Sequence, residues 1–192
     1  MVGLGNPGRR YARTRHNVGF RVLATLGRRW GADAGRSAFG GRVYDARPSR
    51  QDAGARRVML FEPHTYMNRS GRAVQELAAF YKAAAGDMLV VLDDLNLPLG
   101  RLRARASGTA GGQKGLADVL QALGTQDVPR LRIGIGQPPP RMDATDFVLS
   151  VFTEDEEEVI GVAVAQAADA VEDWLFSGLT LVMEKYNRKA DI

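Results

Sequence analysis

The chain has 192 residues, which one hydrophobic core can serve, because chains tend to divide into separate domains only beyond ~250 residues. Hydrophobic residues make up 45% of it and charged residues 25%, a globular composition that excludes a largely disordered protein. It has no cysteine and only two histidines, which excludes disulfides and a cysteine nucleophile and disfavours a metal site. We therefore expect a single domain over residues 1–192 that holds no metal.

The chain is basic, with a formal net charge of +4, and arginine supplies 22 of its 26 basic side chains. This excess suits a polyanionic partner, although the amino-acid preference of a genome explains it equally well. Four arginines, Arg9, Arg10, Arg13 and Arg15, crowd the first motif. The N-terminus does not resemble a signal peptide, and no segment reaches the ~20 apolar residues that span a bilayer. We expect a cytoplasmic protein.

The predicted elements interleave strands with helices. In chain order they are a strand at 1–5, a helix ending near Gly31, strands at about 38–47 and 56–61, a helix from Ser70, strands at 88–92 and 101–106, a helix at 116–123, a strand at 130–135, a helix at 154–176 and a short final helix. Thr153 and Glu156 form a capping box at the start of the long helix. This order predicts the α/β class, as a single-domain three-layer sandwich with a central mixed β-sheet flanked by helices.

Polar segments follow three of the predicted strands. They are Asn6 to His16, Asp93, and the glycine-rich loop at 108–115. In α/β sheets the functional groups tend to project beyond the carboxyl ends of the strands. We expect these segments to form the site.

The first segment also matches the dinucleotide-binding pattern G-x-G-x-x-G, in residues 3–8. That type of site needs a helix at once and an acidic residue at the end of a second strand ~20 residues later. Here the next carboxylate is Asp33, which follows a predicted helix and Gly31. Dinucleotide binding therefore stays a weak alternative.

The stretch VGLGNPGRRYARTRHNVGF, residues 2–20, resembles the N-terminal signature of bacterial peptidyl-tRNA hydrolases. The resemblance continues in order through EPHTYMNRSG at 62–71, VLDDLNLPLG at 91–100, SGTAGGQKGL at 107–116 and RLRIGIG at 130–136. It implies hydrolysis of the ester between a peptide and the terminal ribose of tRNA, by a monomeric α/β enzyme without a cofactor. The alternative is a non-catalytic relative that binds RNA through the same cleft.

Two residues have the chemistry that ester hydrolysis requires. The reaction needs a base for water, and imidazole, with an unperturbed pKa of about 6.5, suits neutral pH. His16 is the candidate, and its alternative interpretation is a surface or helix-capping histidine. Asp93 is placed to hold the other ring nitrogen and fix the tautomer, although an aspartate there also suits a turn. The family assigns this pair the same roles.

Five further residues are candidates for the site, Asn6 in a catalytic role and the other four in binding the substrate. The side chains of Asn6 and Asn68 each offer a hydrogen-bond donor and an acceptor. They are therefore suited to hold a peptide amide and an ester carbonyl while negative charge develops on the carbonyl oxygen. Both match family positions for substrate binding, and each has a turn residue as its alternative. We expect Tyr11 and Tyr66 to contact the unpaired 3′ end of the RNA, with core packing as the alternative for Tyr66. Met67 is expected to form an apolar wall.

Three positions depart from the family pattern, which commonly has histidine, aspartate and asparagine where this chain has Leu92, Asn96 and Lys114. Lys114 lies where the family's asparagine is associated with substrate binding, so the roles of Gln113 and Lys114 stay open. Lysine supplies a mobile charge at the start of a helix, which suits a phosphate of the tRNA, whereas the alternative is a solvated lysine. His64 is expected to be structural or exposed.

Overall fold

A computed structural model describes residues 1–188. Its strands are β1 (Val2–Gly3), β2 (Arg36–Ala38), β3 (Gly41–Ala46), β4 (Ser49–Arg50), β5 (Gly54–Ala55), β6 (Val58–Pro63), β7 (Val90–Asp94), β8 (Leu102–Arg105) and β9 (Arg130–Gly134). Seven of them form a sheet in the order β2-β3-β6-β1-β7-β9-β8, and β4 pairs with β5 separately. β1 is parallel to β6 and β7, and β7 is parallel to β9, whereas the outer pairs are antiparallel. The predicted mixed sheet is confirmed.

Helices cover both faces of the sheet. They are α1 (Val18–Arg29), α2 (Ser70–Tyr81), α3 (Lys114–Leu123), α4 (Ala144–Leu149), α5 (Glu154–Ser177) and α6 (Leu179–Tyr186). Side chains of α1, α5 and α6 form the core on one face, and those of α2 and α3 form the core on the other. The predicted three-layer α/β sandwich is therefore confirmed. Within residues 1–188, none of the helices combines the length and apolar composition needed to cross a membrane.

The central strand β7 shows how the sequence specifies these layers. Val90 and Leu92 pack into the core beneath α2 and α3, whereas Val91 packs into the opposite core. All three side chains are fully buried, as predicted from the continuous apolar run. Burying a valine or leucine side chain contributes ~1.5–3 kcal/mol, so the strand is held firmly from both sides. Asp93 at its end is thereby fixed in position.

The first strand lies directly against α1. A Cβ at Gly3 would come within 2.7 Å of the carbonyl oxygen of Gly19, so only glycine allows this contact. The strand is shorter than predicted, although the Leu4 amide still donates to the Val91 carbonyl at 2.9 Å. Because α1 starts at Val18 and packs back on β1, residues 6–17 must turn over the carboxyl end of the strand. Only a three-residue 3₁₀ turn, Arg9–Tyr11, follows Gly8, and the first α-helix does not begin until Val18, which rules out the dinucleotide-binding arrangement.

The capping box predicted for α5 is present. The Thr153 hydroxyl accepts from the Glu156 amide at 3.3 Å, and the Glu156 carboxylate accepts from the Thr153 amide at 2.8 Å. Four short elements, β2, β4, β5 and α4, were not predicted. Helix α4 has six residues and buries only Phe147 and Val148, so its hydrophobic pattern is too short to recognise.

Candidate active site

A cleft of about 600 Å³ opens beyond the carboxyl ends of β1, β6 and β7. Its lining includes every side chain that the sequence singles out for the site: Asn6, Tyr11, His16, Tyr66, Met67, Asn68, Asp93 and Lys114. The glycine-rich loop forms one side of the cleft, and α4 contributes an apolar side through Ala144, Val148 and Leu149. The parallel strands β1 and β7 bring the first two polar segments together. The glycine-rich loop instead follows the antiparallel β8, which ends at the opposite edge of the sheet, and it runs back to the cleft past Arg130 and Arg132.

The centre of the cleft is a histidine–aspartate pair. His16 Nδ1 lies 2.8 Å from Asp93 Oδ2. The side chains are 12% and 3% exposed, so the contact is protected from solvent and the carboxylate is almost completely enclosed. Within residues 1–188, His16 Nε2 makes no hydrogen bond. An ionised Asp93 keeps the proton on Nδ1, which leaves the Nε2 lone pair available as a base in the cleft.

A glutamine holds the second oxygen of Asp93. Gln113 Nε2 donates to Asp93 Oδ1 at 3.1 Å, and Gln113 Oε1 accepts from the Leu116 amide at 2.6 Å. The second bond caps the N-terminus of α3. The sequence alone left the role of Gln113 open, because the neighbouring Lys114 departs from the family pattern. Glutamine is also not among the residues preferred at an N-cap.

Arg15 holds the turn that carries His16. Its guanidinium donates to both carboxylate oxygens of Glu156, at 3.0 and 2.6 Å, and lies 4.2 and 4.6 Å from the ring centres of Phe147 and Phe152. The side chain is buried, and its hydrogen bonds hold the pKa of Glu156 below its usual value. The position of Arg15 in the sequence suggested that it belongs with the exposed arginines of the loop. Its burial shows that it does not. It links the His16 turn to α5.

Asn6 is held by two partners. The Asn17 side chain bonds to the backbone of Asn6 in both directions, accepting at 2.8 Å and donating at 2.9 Å. Asn6 Oδ1 accepts from the Met67 amide at 2.8 Å. Its acceptor is thus occupied, and within residues 1–188 Nδ2 makes no hydrogen bond. Asn6 presents a donor to the cleft, where the sequence had suggested both a donor and an acceptor.

The other predicted residues differ in exposure. Tyr66 is 55% exposed, which rules out core packing for its side chain. Tyr11 is half-buried beneath the guanidinium of Arg10, whose central carbon lies 4.5 Å from the ring centre. Asn68 is exposed, whereas Met67 is buried in the floor of the cleft. The two tyrosines and Asn68 are therefore accessible to a ligand.

The glycine-rich loop is held from below by Arg132. This side chain donates to Asp94 at 2.8 Å and to the Thr109 carbonyl at 3.0 Å. A Cβ at Gly111 would come within 2.7 Å of the same guanidinium, and the φ of Gly111 is +61°. Lys114 follows as the exposed first residue of α3 and makes no hydrogen bond or ion pair within residues 1–188. Its ammonium group is available at the mouth of the cleft.

The remaining departures from the family pattern lie around this site. Leu92 is fully buried in the core, and Asn96 Nδ2 lies 3.4 Å from the Gly111 carbonyl. Leu92 does not line the cleft, whereas Asn96 lines it and keeps a polar side chain there. His64 lies outside the cleft with an exposed side chain, 3.8 Å from Glu62, as expected.

Comparison with known proteins identifies the family. A family model described as peptidyl-tRNA hydrolase matches residues 1–192. A peptidyl-tRNA hydrolase of Chloroflexus aggregans is 48% identical, with 97% of each chain covered, and one of Rhodopirellula baltica is 43% identical, with 97% of this chain and 96% of that protein covered. The crystal structure of peptidyl-tRNA hydrolase from Acinetobacter baumannii is similar, with a TM-score of 0.87, 32% identity and coverage of 97% of this chain and 92% of that one. The chain belongs to the peptidyl-tRNA hydrolase family.

Proposed function

We propose that this chain hydrolyses the ester between peptide and tRNA in peptidyl-tRNA, with His16 as the general base. The observation that carries this assignment is the 2.8 Å contact between His16 Nδ1 and Asp93 Oδ2 at the centre of the cleft. It leaves Nε2 as an unprotonated nitrogen beside the space where a substrate fits. Family membership supplies the substrate class, and this pair supplies the chemistry.

The reaction proceeds through attack of water. Nε2 of His16 takes a proton from water as the water oxygen bonds to the ester carbonyl carbon, and Asp93 stabilises the resulting imidazolium. The tetrahedral intermediate then collapses, the bond to the ribose oxygen breaks, and the proton passes from Nε2 to that oxygen. The products are a free peptide carboxyl group and a free ribose hydroxyl. A positioned base of this kind contributes ~10²–10⁴-fold to the rate.

Asn6 and Asn68 recognise the carbonyl groups of the substrate. Asn6 directs only its Nδ2 donor into the cleft, because Met67 occupies its acceptor. We assign that donor to the peptide carbonyl next to the ester, and the exposed Asn68 to the ester carbonyl, whose oxygen becomes negative during attack. A donor aimed at such an oxygen is worth ~10²–10³-fold in kcat.

The RNA contacts the accessible rings and charges around the mouth of the cleft. Tyr11 and Tyr66 offer faces on which bases of the unpaired 3′ end stack. Arg9 and Arg13 are exposed on the loop beside the cleft, and Lys114 is exposed on the other side. These charges suit the phosphates of a polyanion.

We further propose that the enzyme acts in the cytoplasm, where translation produces peptidyl-tRNA. Every group assigned to the reaction comes from one chain, which supports action as a monomer. The mechanism uses water and side chains alone, which supports catalysis without a cofactor.

The test compares cleavage of N-acetyl-aminoacyl-tRNA with cleavage of free aminoacyl-tRNA. The wild-type chain should release tRNA from the first far faster, and His16→Ala should lower kcat ~100-fold or more while tRNA binding is retained. His64→Ala is the matched control, because it removes the other histidine from a position outside the cleft. Binding without cleavage by the wild-type chain would instead support a non-catalytic RNA-binding relative, and full activity of His16→Ala would reject the mechanism.

A further inference from the structure

Asp93 is held by two side chains, one on each carboxylate oxygen. His16 Nδ1 lies 2.8 Å from Oδ2, and Gln113 Nε2 lies 3.1 Å from Oδ1. The carboxylate is buried, so solvent has little access to either contact. Only His16 takes part in the proposed proton transfer. The proton transfer makes no use of the contact with Gln113.

The side chain of Gln113 has its orientation fixed by α3. Its Oε1 accepts from the Leu116 amide at 2.6 Å. This N–H lies in the first turn of α3, where the helix itself provides no acceptor for it. This bond requires the oxygen to face the helix and the NH₂ group to face Asp93. Gln113 is itself buried, and its Nε2 also lies 3.3 Å from the sulfur of Met67. The amide therefore has one orientation.

We propose that Gln113 is a positioning residue, which fixes the carboxylate plane of Asp93 so that its other oxygen orients His16. This inference rests on the proposed function of the His16–Asp93 pair. A carboxylate rotates easily about its last bond, since torsions of this type have broad minima. An N–H donor on Oδ1 stops this rotation, because the hydrogen bond is kept in one orientation of the carboxylate only.

The same residue joins the glycine-rich loop to the catalytic pair. Gln113 ends that loop and begins α3, and the adjacent Lys114 faces the mouth of the cleft. A displacement of the loop would move the amide away from Asp93. The position of the loop is thus coupled to the orientation of His16 through a single amide group.

Two substitutions separate this role from helix capping. Gln113→Glu keeps the length of the side chain and an oxygen for the Leu116 amide, but it replaces the donor facing Asp93 with a carboxyl oxygen. Gln113→Ser keeps a preferred N-cap oxygen and is too short to reach Asp93. Gln75→Glu is the matched control, because the Gln75 amide donates to the Ala122 carbonyl at the end of α3 and lies outside the cleft.

The measurement is the pH profile of kcat and KM on N-acetyl-aminoacyl-tRNA, together with the Tm of each variant. For Gln113→Glu we expect a descending limb on the alkaline side that the wild type lacks. The new carboxyl group donates to Asp93 only while protonated, so activity falls as pH rises and that proton is lost. Gln113→Ser should lower kcat roughly 10-fold or more at every pH, as expected for loss of a hydrogen bond to a charged group, with KM little changed.

The outcomes distinguish the two proposals. A wild-type chain that fails to cleave the substrate refutes the proposed function. An active wild type refutes the role of Gln113 if Gln113→Glu keeps the wild-type kcat and shape of the pH profile. The role is also refuted if both variants lose activity only in proportion to a lower Tm, since that result indicates a helix cap alone. Gln75→Glu should show the wild-type profile.

Discussion

Replacement of Asp93 by asparagine tests the geometry of the active site most directly. Gln113 directs an N–H at Oδ1, so the oxygen of the new amide must face Gln113 and its NH₂ group must face His16. His16 Nδ1 then has to accept a hydrogen bond, and the imidazole proton moves to Nε2. The nitrogen that takes the proton from water is thereby blocked, although the shape of the site is retained.

The size of this effect follows from its two components. Asp93→Asn produces the wrong tautomer, and it withdraws the negative charge that stabilises the imidazolium. The equivalent change in Ser-His-Asp enzymes lowers kcat ~10⁴-fold, which is ~5.4 kcal/mol of barrier, and we expect a loss of similar order here. Affinity for tRNA should change little, because Asp93 is enclosed beneath His16, with 3% of its side chain exposed.

Single-turnover cleavage of N-acetyl-aminoacyl-tRNA at saturating enzyme measures the chemical step, and a binding assay with the same tRNA measures affinity. Asp118→Asn is a matched control, because Asp118 accepts from the Gly71 amide and lies outside the cleft. The reasoning is wrong if Asp93→Asn weakens binding but leaves the single-turnover rate near that of the wild type.

Three further predictions follow from the site and its supports. Asn6→Ala should reduce the preference for N-acetyl-aminoacyl-tRNA over free aminoacyl-tRNA, because the donor for the peptide carbonyl is lost; equal loss on both substrates would make Asn6 a general positioning residue. Lys114→Ala should lower the magnitude of the log–log salt slope of tRNA binding by ~0.7–0.9 and spare kcat at saturation, whereas an unchanged slope would reject a phosphate contact. The hydrogen bonds from Arg15 lower the pKa of Glu156. The ion pair therefore stabilises the folded protein fully at a pH above the pKa that Glu156 has in the unfolded chain, and this stabilisation is lost as the pH falls through the lower pKa that Glu156 has in the folded protein. Glu156→Gln should therefore lower the free energy of unfolding by about 2 kcal/mol at pH 7 and by less in acid, as measured by urea denaturation; the same loss at all pH values would contradict this.

The fold and the residues of the His16–Asp93 pair were predictable, because the sequence patterns that indicate them are local. The continuous apolar run before Asp93 identifies a buried strand, and the end of such a strand is where a functional side chain is expected. The long helix α5 has both a capping box and an apolar stripe. His16 stands out because a polar loop gives a histidine little chance of being packed in a core. These features depend on neighbours within a few residues.

The supports of the site were not predictable in the same way. Arg15 lies among arginines of a polar loop, a context typical of the surface, yet it contacts Glu156 across 141 positions of sequence. Gln113 is 20 positions from Asp93, and glutamine has no strong preference for the N-cap that orients it. Both contacts depend on how the helices pack on the sheet, which no local pattern specifies.

The long sequence separations in the site affect when activity appears during folding. His16 and Asp93 lie 77 positions apart, and the arginine beside His16 reaches its carboxylate partner only across 141 positions. Contacts of such high contact order form slowly, because a long loop must close before the contact is gained. A nascent chain that ends soon after β7 contains both members of the pair but lacks the helix that holds the His16 turn. Hydrolysis should therefore be gained only when nearly the whole chain has been synthesised, and on refolding it should return later than the helical signal.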